Sequence, residues 1–424
     1  MRILLVCSWY PSAERPFDGS FFAEQARMLA GSGLRVGVLA LRQVRAEDPA
    51  WLAPPRAASE DGIVVVRASA PALPPGMRRL EPAVHARVAR RAARLVEAAF
   101  GVPDALHAHT VFPGATVARG LARLWGRPYA ITEHRPSTLD SPAFVARCRP
   151  IAAAVAGAGT LTTVSDGFAR RLGEHYGTGE WEAVPLPVPA LFFDEPLGGS
   201  AGGADSAGGA DGTGGAGGAD GTGGADSAGG AGGATAAGVV RFVHVSHLDG
   251  NKRPGPMCDA FLEAFPHGGA RLDVVGGSPA QVGALRSAVG DRPGAASIRF
   301  HGRMDRRGTA REMARADVFV LASAVEAGGT VLSEAQAAGC RLVATSTWAG
   351  EHAVSEGTGL LVPVDDPGAL VRAMRRAADP TAFAPADRIR ERARARYGEG
   401  AFVRRWRRIY ASLADGGRGG GGRG

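Results

Sequence analysis

The chain has 424 residues, 45% of them hydrophobic and 21% charged, with 49 Lys and Arg against 41 Asp and Glu for a net charge of +8. These proportions exclude a fibrous or wholly disordered protein, and the length outgrows one hydrophobic core while suiting two domains. The positive balance points to a polyanionic, phosphorylated or membrane-surface partner. Nucleic acid is set aside because no basic run is interleaved with aromatics.

Residues 2–7 are a short apolar run, read as a strand buried on both faces; a polar turn, a helical pattern through Phe22, Gln25, Ala26 and Leu29, and a second apolar run at 35–41 follow. Strand, helix and strand with short connections make the unit of a parallel sheet. The alternation continues with a strand at 63–67, an arginine-rich helix over 82–100, a strand at 105–109, a helix over 114–125 and a strand at 129–132. A strand at 161–164 and a helix over 165–176 close this half. The opening apolar run is too short for a signal-peptide core, and no stretch approaches 18 apolar residues. A cytoplasmic protein is expected, at most peripheral to the inner face of the membrane. Cys7, Cys148, Cys258 and Cys340 show no CxxC spacing, which indicates neither a zinc site nor a disulfide framework.

Of the 62 glycines, 19 fall in the window 198–238 and seven in the tail 416–424. The window repeats GGAD units without aromatics until its end, so a disordered tether is expected. After it the alternation restarts with a strand at 239–246, a helix over 254–265 and strands at 271–275, 298–300, 318–321 and 342–345. The expected division is a Rossmann-like α/β domain over 1–195, the linker 196–238, a second Rossmann-like α/β domain over 239–385, a helical segment 386–415 and a flexible tail over 416–424. In that last segment Phe402, Trp406, Ile409 and Tyr410 fall at helical spacing and read as packing anchors.

The sharpest constellation follows the apolar strand at 318–321: Ser323-Ala-Val-Glu326-Ala-Gly328-Gly329-Thr330-Val331-Leu-Ser-Glu334. On one helix the two glutamates would stand about 12 Å apart along the axis, too far to share a small site. Glu326 is therefore placed on a loop at the strand's carboxyl end, with the glycines allowing close backbone approach. A helix starts near Thr330 with free amides toward an anion, and Glu334 lies in an early turn. A second polar turn, His244-Val-Ser246-His247-Leu-Asp-Gly-Asn-Lys252, follows the strand at 239–246 and places a point charge for a phosphate. In the first half, His107 and His109 alternate on one strand and Glu133-His134 end another; His134 reads as an acceptor-site residue. Gly19 follows the first strand, where backbone can approach the same cleft.

These residues resemble family 4 glycosyltransferases of the GT-B fold, two Rossmann-like domains facing each other across a cleft. The likeness rests on Glu326-x7-Glu334, Tyr10-Pro11 with Gly19, Ser20, Phe21 and Phe22, His107-Ala-His109, Thr132-Glu133-His134 and Gly359-Leu-Leu-Val362. It implies an acceptor-binding first domain and a nucleotide-sugar-binding second domain across a deep cleft, the segment 386–415 packing back on the first domain, and a retaining, metal-independent enzyme. No cofactor is expected beyond a nucleotide-diphosphate sugar donor, with a sugar, glycan or lipid-linked acceptor. By residue, it implies that Glu326 contacts the donor sugar, Glu334 the ribose hydroxyls, and Lys252 the leaving diphosphate. Gly19 would lie under that diphosphate, amides from Gly328 to Val331 near the donor, and His134 beside the transferred sugar, with His109 and Glu133 on the acceptor side. Three departures stand out: His247 replaces the usual arginine partner of the lysine, 184–187 replace the usual Pro-Asn-Pro turn, and Thr347-Trp348-Ala349-Gly350 lacks a paired glycine. The alternatives are an epimerase or hydrolase on the same fold, or a non-catalytic basic module resting on anionic lipid through the 77–100 arginines.

Overall fold

A computed structural model describes residues 1–16, 18–177, 180–198 and 238–419. The glycine-rich stretch expected to be a tether therefore lies almost wholly outside the described residues. The first sheet contains β1 (Arg2–Cys7), β2 (Arg35–Arg45), β3 (Arg56–Glu60), β4 (Ile63–Ala72), β5 (Ala105–His109), β6 (Tyr129–Glu133), β7 (Thr160–Thr163) and β8 (Glu182–Ala183). Their order is β3-β4-β2-β1-β5-β6-β7-β8, parallel except for β3. The helices of this half are α1 (Ser20–Gly31), α2 (Glu81–Ala99), α3 (Thr116–Trp125), α4 (Pro142–Val145), α5 (Cys148–Ala156) and α6 (Asp166–Tyr176).

Because β1 is apolar from Ile3 to Cys7, it contributes to a core on each face of the sheet. Leu4 and Val6 meet α2, α3, α5 and α6, whereas Ile3 and Leu5 meet α1 and the C-terminal helix. The edge strand β3 has no hydrophobic alternation and escapes a pattern search. Its signal is the turn: Asp61 and Gly62, both at positive φ, join β3 to β4.

After α7 (Leu191–Asp194) the second sheet is built from β9 (Val240–Ser246), β10 (Ala270–Gly276), β11 (Ile298–Gly302), β12 (Val318–Leu321), β13 (Arg341–Thr345) and β14 (Gly359–Val362). All are parallel, in the order β11-β10-β9-β12-β13-β14. Its helices are α8 (Pro254–Ala264), α9 (Pro279–Val289), α10 (Arg306–Ala314), α11 (Thr330–Ala337), α12 (Trp348–Ala353), α13 (Pro367–Ala378) and α14 (Ala386–Tyr397), and α15 (Glu399–Gly419) ends the described chain.

The chain passes between the halves at two adjacent points, where Val188 bridges to Gly398. Two expected boundaries shift as a result. Val188, Phe192 and Phe193 pack with Val243 and Phe319 of the second sheet, so 188–195 do not belong with the first half. Likewise Ala393 and Tyr397 of α14 bury in that second core, so only α15, not the whole of 386–415, returns to the first half. The reason is the same in both cases: large apolar side chains commit a segment to the core that receives them. Helix α15 also continues to Gly419, beyond Gly416 where a flexible tail is expected.

The stripe Phe402, Trp406, Ile409 and Tyr410 is buried against α1 and β1, as packing anchors should be. Tyr410 does more, since its hydroxyl lies 2.8 Å from His107 Nδ1 in the interior. Tyr410→Phe keeps the packing and leaves that nitrogen alone. A loss of about 1–2 kcal/mol in urea denaturation is the expected result.

Candidate active site

Strand order creates the site in the second half. Strands β9 and β12 are neighbours, so the loops leaving their carboxyl ends meet although 74 residues separate them. Asn251 ties the two loops: its side chain donates to the Val325 carbonyl and accepts from the Val325 amide, both at 3.0 Å, and its carbonyl accepts from Ala324 at 2.8 Å. The Lys252 ammonium consequently pairs with the Glu326 carboxylate, each side chain 17% exposed. Ser323 donates to the same Glu326 oxygen at 3.4 Å. A cation and a carboxylate are thus held together and still reachable from the cleft.

Glu326 lies on the loop and Glu334 in the second turn of α11, whose N-cap is Gly329 at φ 49. The amides of Thr330 and Val331 open that helix. A Cβ on Gly329 would meet Ala349 at 2.8 Å, and one on Gly328 would meet Val164 at 2.9 Å. Gly328 thus makes a close approach to Val164 of the first half. Glu334 is held apart from Glu326 by its own partner. Arg306 donates to it at 3.1 Å and reaches across to Glu24 of α1 at 3.5 Å. Burial raises the Glu334 carboxyl to about 7, opposed by Arg306 and reinforced by Glu24.

The sequence reading passed over Gly276, the last residue of β10, and Gly277 after it, at φ 114 and 75. A Cβ on Gly276 would run into the Ser246 carbonyl, and one on Gly277 would meet Leu248 at 2.6 Å. The available signal was a glycine pair directly after an apolar strand. These glycines shape the turn that carries His247 and Lys252; His247 itself is exposed, and its carbonyl accepts from Gln281 at 3.1 Å.

In the first half, Gly19 caps α1 at φ 69, and a Cβ there would press on Trp9 at 2.7 Å. His134 sits against Phe21 and Phe22, with Nε2 3.1 Å from His109 Nδ1. Burial drives the pKa of both imidazoles down, that of His109 to about 3, so both are neutral. Glu133 and His109 do not take the acceptor-facing role expected of them. The Glu133 carboxylate is fully buried and accepts from the amides of Val111, His134 and Arg135 at 2.7, 2.8 and 2.8 Å. His109 is buried behind His134. Both groups hold His134 rather than meet a substrate, because strand ends bury every side chain that points between sheet and helix.

Between the halves lies a cavity of about 760 Å³ lined by Pro136, Asp140, Arg170, Glu326, Thr347 and Trp348 among others. Around Trp348, which lines the cavity, the halves touch. The Ser165 hydroxyl donates to the Ala327 carbonyl at 2.6 Å, Trp348 stacks on Phe168 with centroids 5.1 Å apart, and His352 lies 2.7 Å from Asp166. Trp348, one of the departures from the family pattern, covers Gly167, where a Cβ would meet its ring at 2.8 Å. The fold also gathers Asp273, His301 and Glu312, which no sequence spacing reveals. Arg271 and His301 already engage the Asp273 carboxylate, at 3.0 and 2.8 Å.

Two family models match the chain: Glycosyltransferase Family 4 over residues 19–189 and Glycosyl transferases group 1 over residues 240–379. Solved structures agree on the fold. Sucrose-phosphate synthase from Thermosynechococcus elongatus is 18% identical with a TM-score of 0.68, covering 98% of this chain and 100% of its own. The lipopolysaccharide outer core galactosyltransferase WaaB is 13% identical at 0.66, covering 97% and 99%. Anabaena HepE in complex with UDP-glucose is 15% identical at 0.62, covering 97% and 100%. No curated protein sequence matches. With one model on each half and the GT-B architecture over nearly the whole length, the chain belongs to the family 4 and group 1 glycosyltransferases.

Proposed function

We propose that the protein transfers a hexose-type sugar from a nucleotide-diphosphate sugar to an acceptor hydroxyl, with retention at the anomeric carbon and without a metal. The observation that carries this reading is the pairing of Lys252 with Glu326 on adjacent loops at the carboxyl ends of β9 and β12. As the anomeric bond breaks, negative charge grows on the departing diphosphate. Lys252 and the opening amides of α11 stabilise it in a cleft with little water. The Glu326 carboxylate receives hydroxyls of the donor sugar, and Glu334 those of the ribose. His134, neutral and held by His109, stands beside the transferred sugar. The acceptor oxygen attacks from the face the diphosphate leaves, and its proton passes to the departing phosphate oxygen. The separate cationic partners of Glu326 and Glu334 argue against a paired-carboxylate hydrolase. The donor class also has support from the neighbours, since Anabaena HepE was solved with UDP-glucose.

Thermal-shift screening with uridine, guanosine and adenosine diphosphate sugars tests the donor class. One base is expected to raise Tm by several degrees, since a ligand at a hundred times its Kd stabilises by about 2.7 kcal/mol. Absence of any shift at millimolar donor would overturn the reading. Sugar released in the absence of acceptor as fast as in its presence would favour hydrolysis instead.

A further inference from the structure

We infer that the acceptor is an uncharged saccharide and that Trp348 is the platform on which its ring sits, in the cavity beside Glu326. The inference rests on the proposed transfer, which puts the nucleotide end of the donor with Lys252 and Glu334. In the second sheet β12 stands between β9 and β13. Glu326, after β12, therefore separates the Lys252 turn on the β9 side from Ser346, Thr347 and Trp348 on the β13 side. The cavity takes the β13 side: Glu326 and Trp348 line it, and neither Lys252 nor Glu334 does. Its other wall is built from 136–140 and α6, which follow β6 and β7 at their carboxyl ends. A sugar held at Glu326 thus borders the cavity, while the nucleotide lies outside it. Trp348 belongs to one of the three departures from the family pattern, so the platform marks this chain.

The lining selects the class of occupant. Trp348 is half-buried, and Phe168 backs its indole nearly parallel, with centroids 5.1 Å apart and planes at 11°. That contact steadies the ring and leaves its other face and rim to the cavity. The C–H face of a pyranose carries slight positive charge and packs on the negative face of such a ring. Among the charged groups of the wall, Arg171 pairs with Glu174 at 3.3 Å and Glu326 with Lys252. Asp140, Glu351 and Arg170 are exposed and have no ion-pair partner among the described residues. Two such carboxylates against one guanidinium disfavour a phosphate ester here, although the whole chain carries +8. Ionised carboxylates only accept hydrogen bonds, so they call for the hydroxyl donors of a sugar, and Arg170 and the Ser137 hydroxyl can donate to its oxygens. A hydrocarbon acceptor would cover Asp140, Glu351 and Arg170 without pairing them. The volume of about 760 Å³ falls within the ~300–1,000 Å³ of small-molecule sites and admits a short saccharide.

The test is saturation-transfer NMR on the full chain without donor. The probes are methyl glycosides of glucose, galactose and mannose, the disaccharides maltose and lactose, and a phosphorylated glucose. At least one neutral sugar is expected to bind, with the strongest saturation on the C–H protons of one ring face, and the phosphorylated sugar is expected to bind at least about tenfold more weakly. Trp348→Ala should weaken the neutral sugar by about tenfold, and Trp348→Phe should recover most of that loss. Because Trp348 also packs against the first half, Asp140→Ala/Glu351→Ala, at two exposed positions, serves if Trp348→Ala does not fold; a loss of about fivefold is expected. No saturation of any neutral sugar by the wild type, saturation undiminished in the variants, or tighter binding of the phosphorylated sugar overturns the inference. Since binding is read without donor, a failed donor screen leaves the platform standing, and failure to bind a saccharide leaves the donor chemistry of Lys252 and Glu326 standing.

Discussion

Lys252→Met is expected to lower kcat for sugar transfer by about 10²–10³-fold with a small change in donor KM. The ammonium is the nearest side-chain cation to the Glu326 loop, and the charge it stabilises is far larger when the anomeric bond is breaking than in the bound donor. An interaction realised mainly in the transition state lowers kcat when removed. Methionine keeps much of the lysine stem, so the packing of the turn and the contacts of Asn251 should persist. Glu326→Ala is expected to reduce transfer comparably while the melting curve remains cooperative. The two losses should not add, because each variant strips the other group of its partner. Steady-state kinetics on the two single variants and the double variant measure that coupling. Wild-type kcat in Glu326→Ala would overturn the site.

Much of this was legible before any coordinates, and the limits have physical causes. The strand at 318–321 is bounded correctly because four apolar residues end in a polar, glycine-containing loop. Glu326 falls on the loop and Glu334 on the helix as their spacing requires. Periodicity cannot report which strands become neighbours, so the contact of Lys252 with Glu326 and the tie through Asn251 had to wait for the sheet order. Nor does a strand-end motif reveal which way its carboxylate turns. Glu133 reads as a cleft residue, yet three backbone amides draw it inward. The contacts of Gly328 with Val164 and of Trp348 with Phe168 are equally invisible in sequence, since each side of the pair has an ordinary reading alone.

Glu334→Gln should separate donor affinity from fold stability through a single proton. The carboxylate accepts two ribose hydroxyls in the proposed complex, and these bonds lie away from the reacting atoms. Their loss should therefore raise donor KM, by about 10–100-fold, and leave kcat nearly unchanged. In the free protein the same group is held at about 7, above its ordinary value of 4.5, by burial beside Glu24. A carboxyl raised in this way favours the fold at low pH, where it is protonated in both states. That contribution is lost as pH rises from about 4.5 through about 7. Glutamine is neutral throughout, so the variant is expected to melt higher than the wild type at pH 8 and at the same temperature at pH 4. Donor binding runs the other way, because the wild type needs the ionised form: its KM should climb as pH falls below about 7, while that of the variant stays flat through the same window. Melting curves at pH 4 and 8, with donor KM at pH 5.5, 7 and 8.5, decide the point. A wild-type KM independent of pH across this range would mean that Glu334 does not hold the ribose, whatever becomes of Lys252 and Glu326.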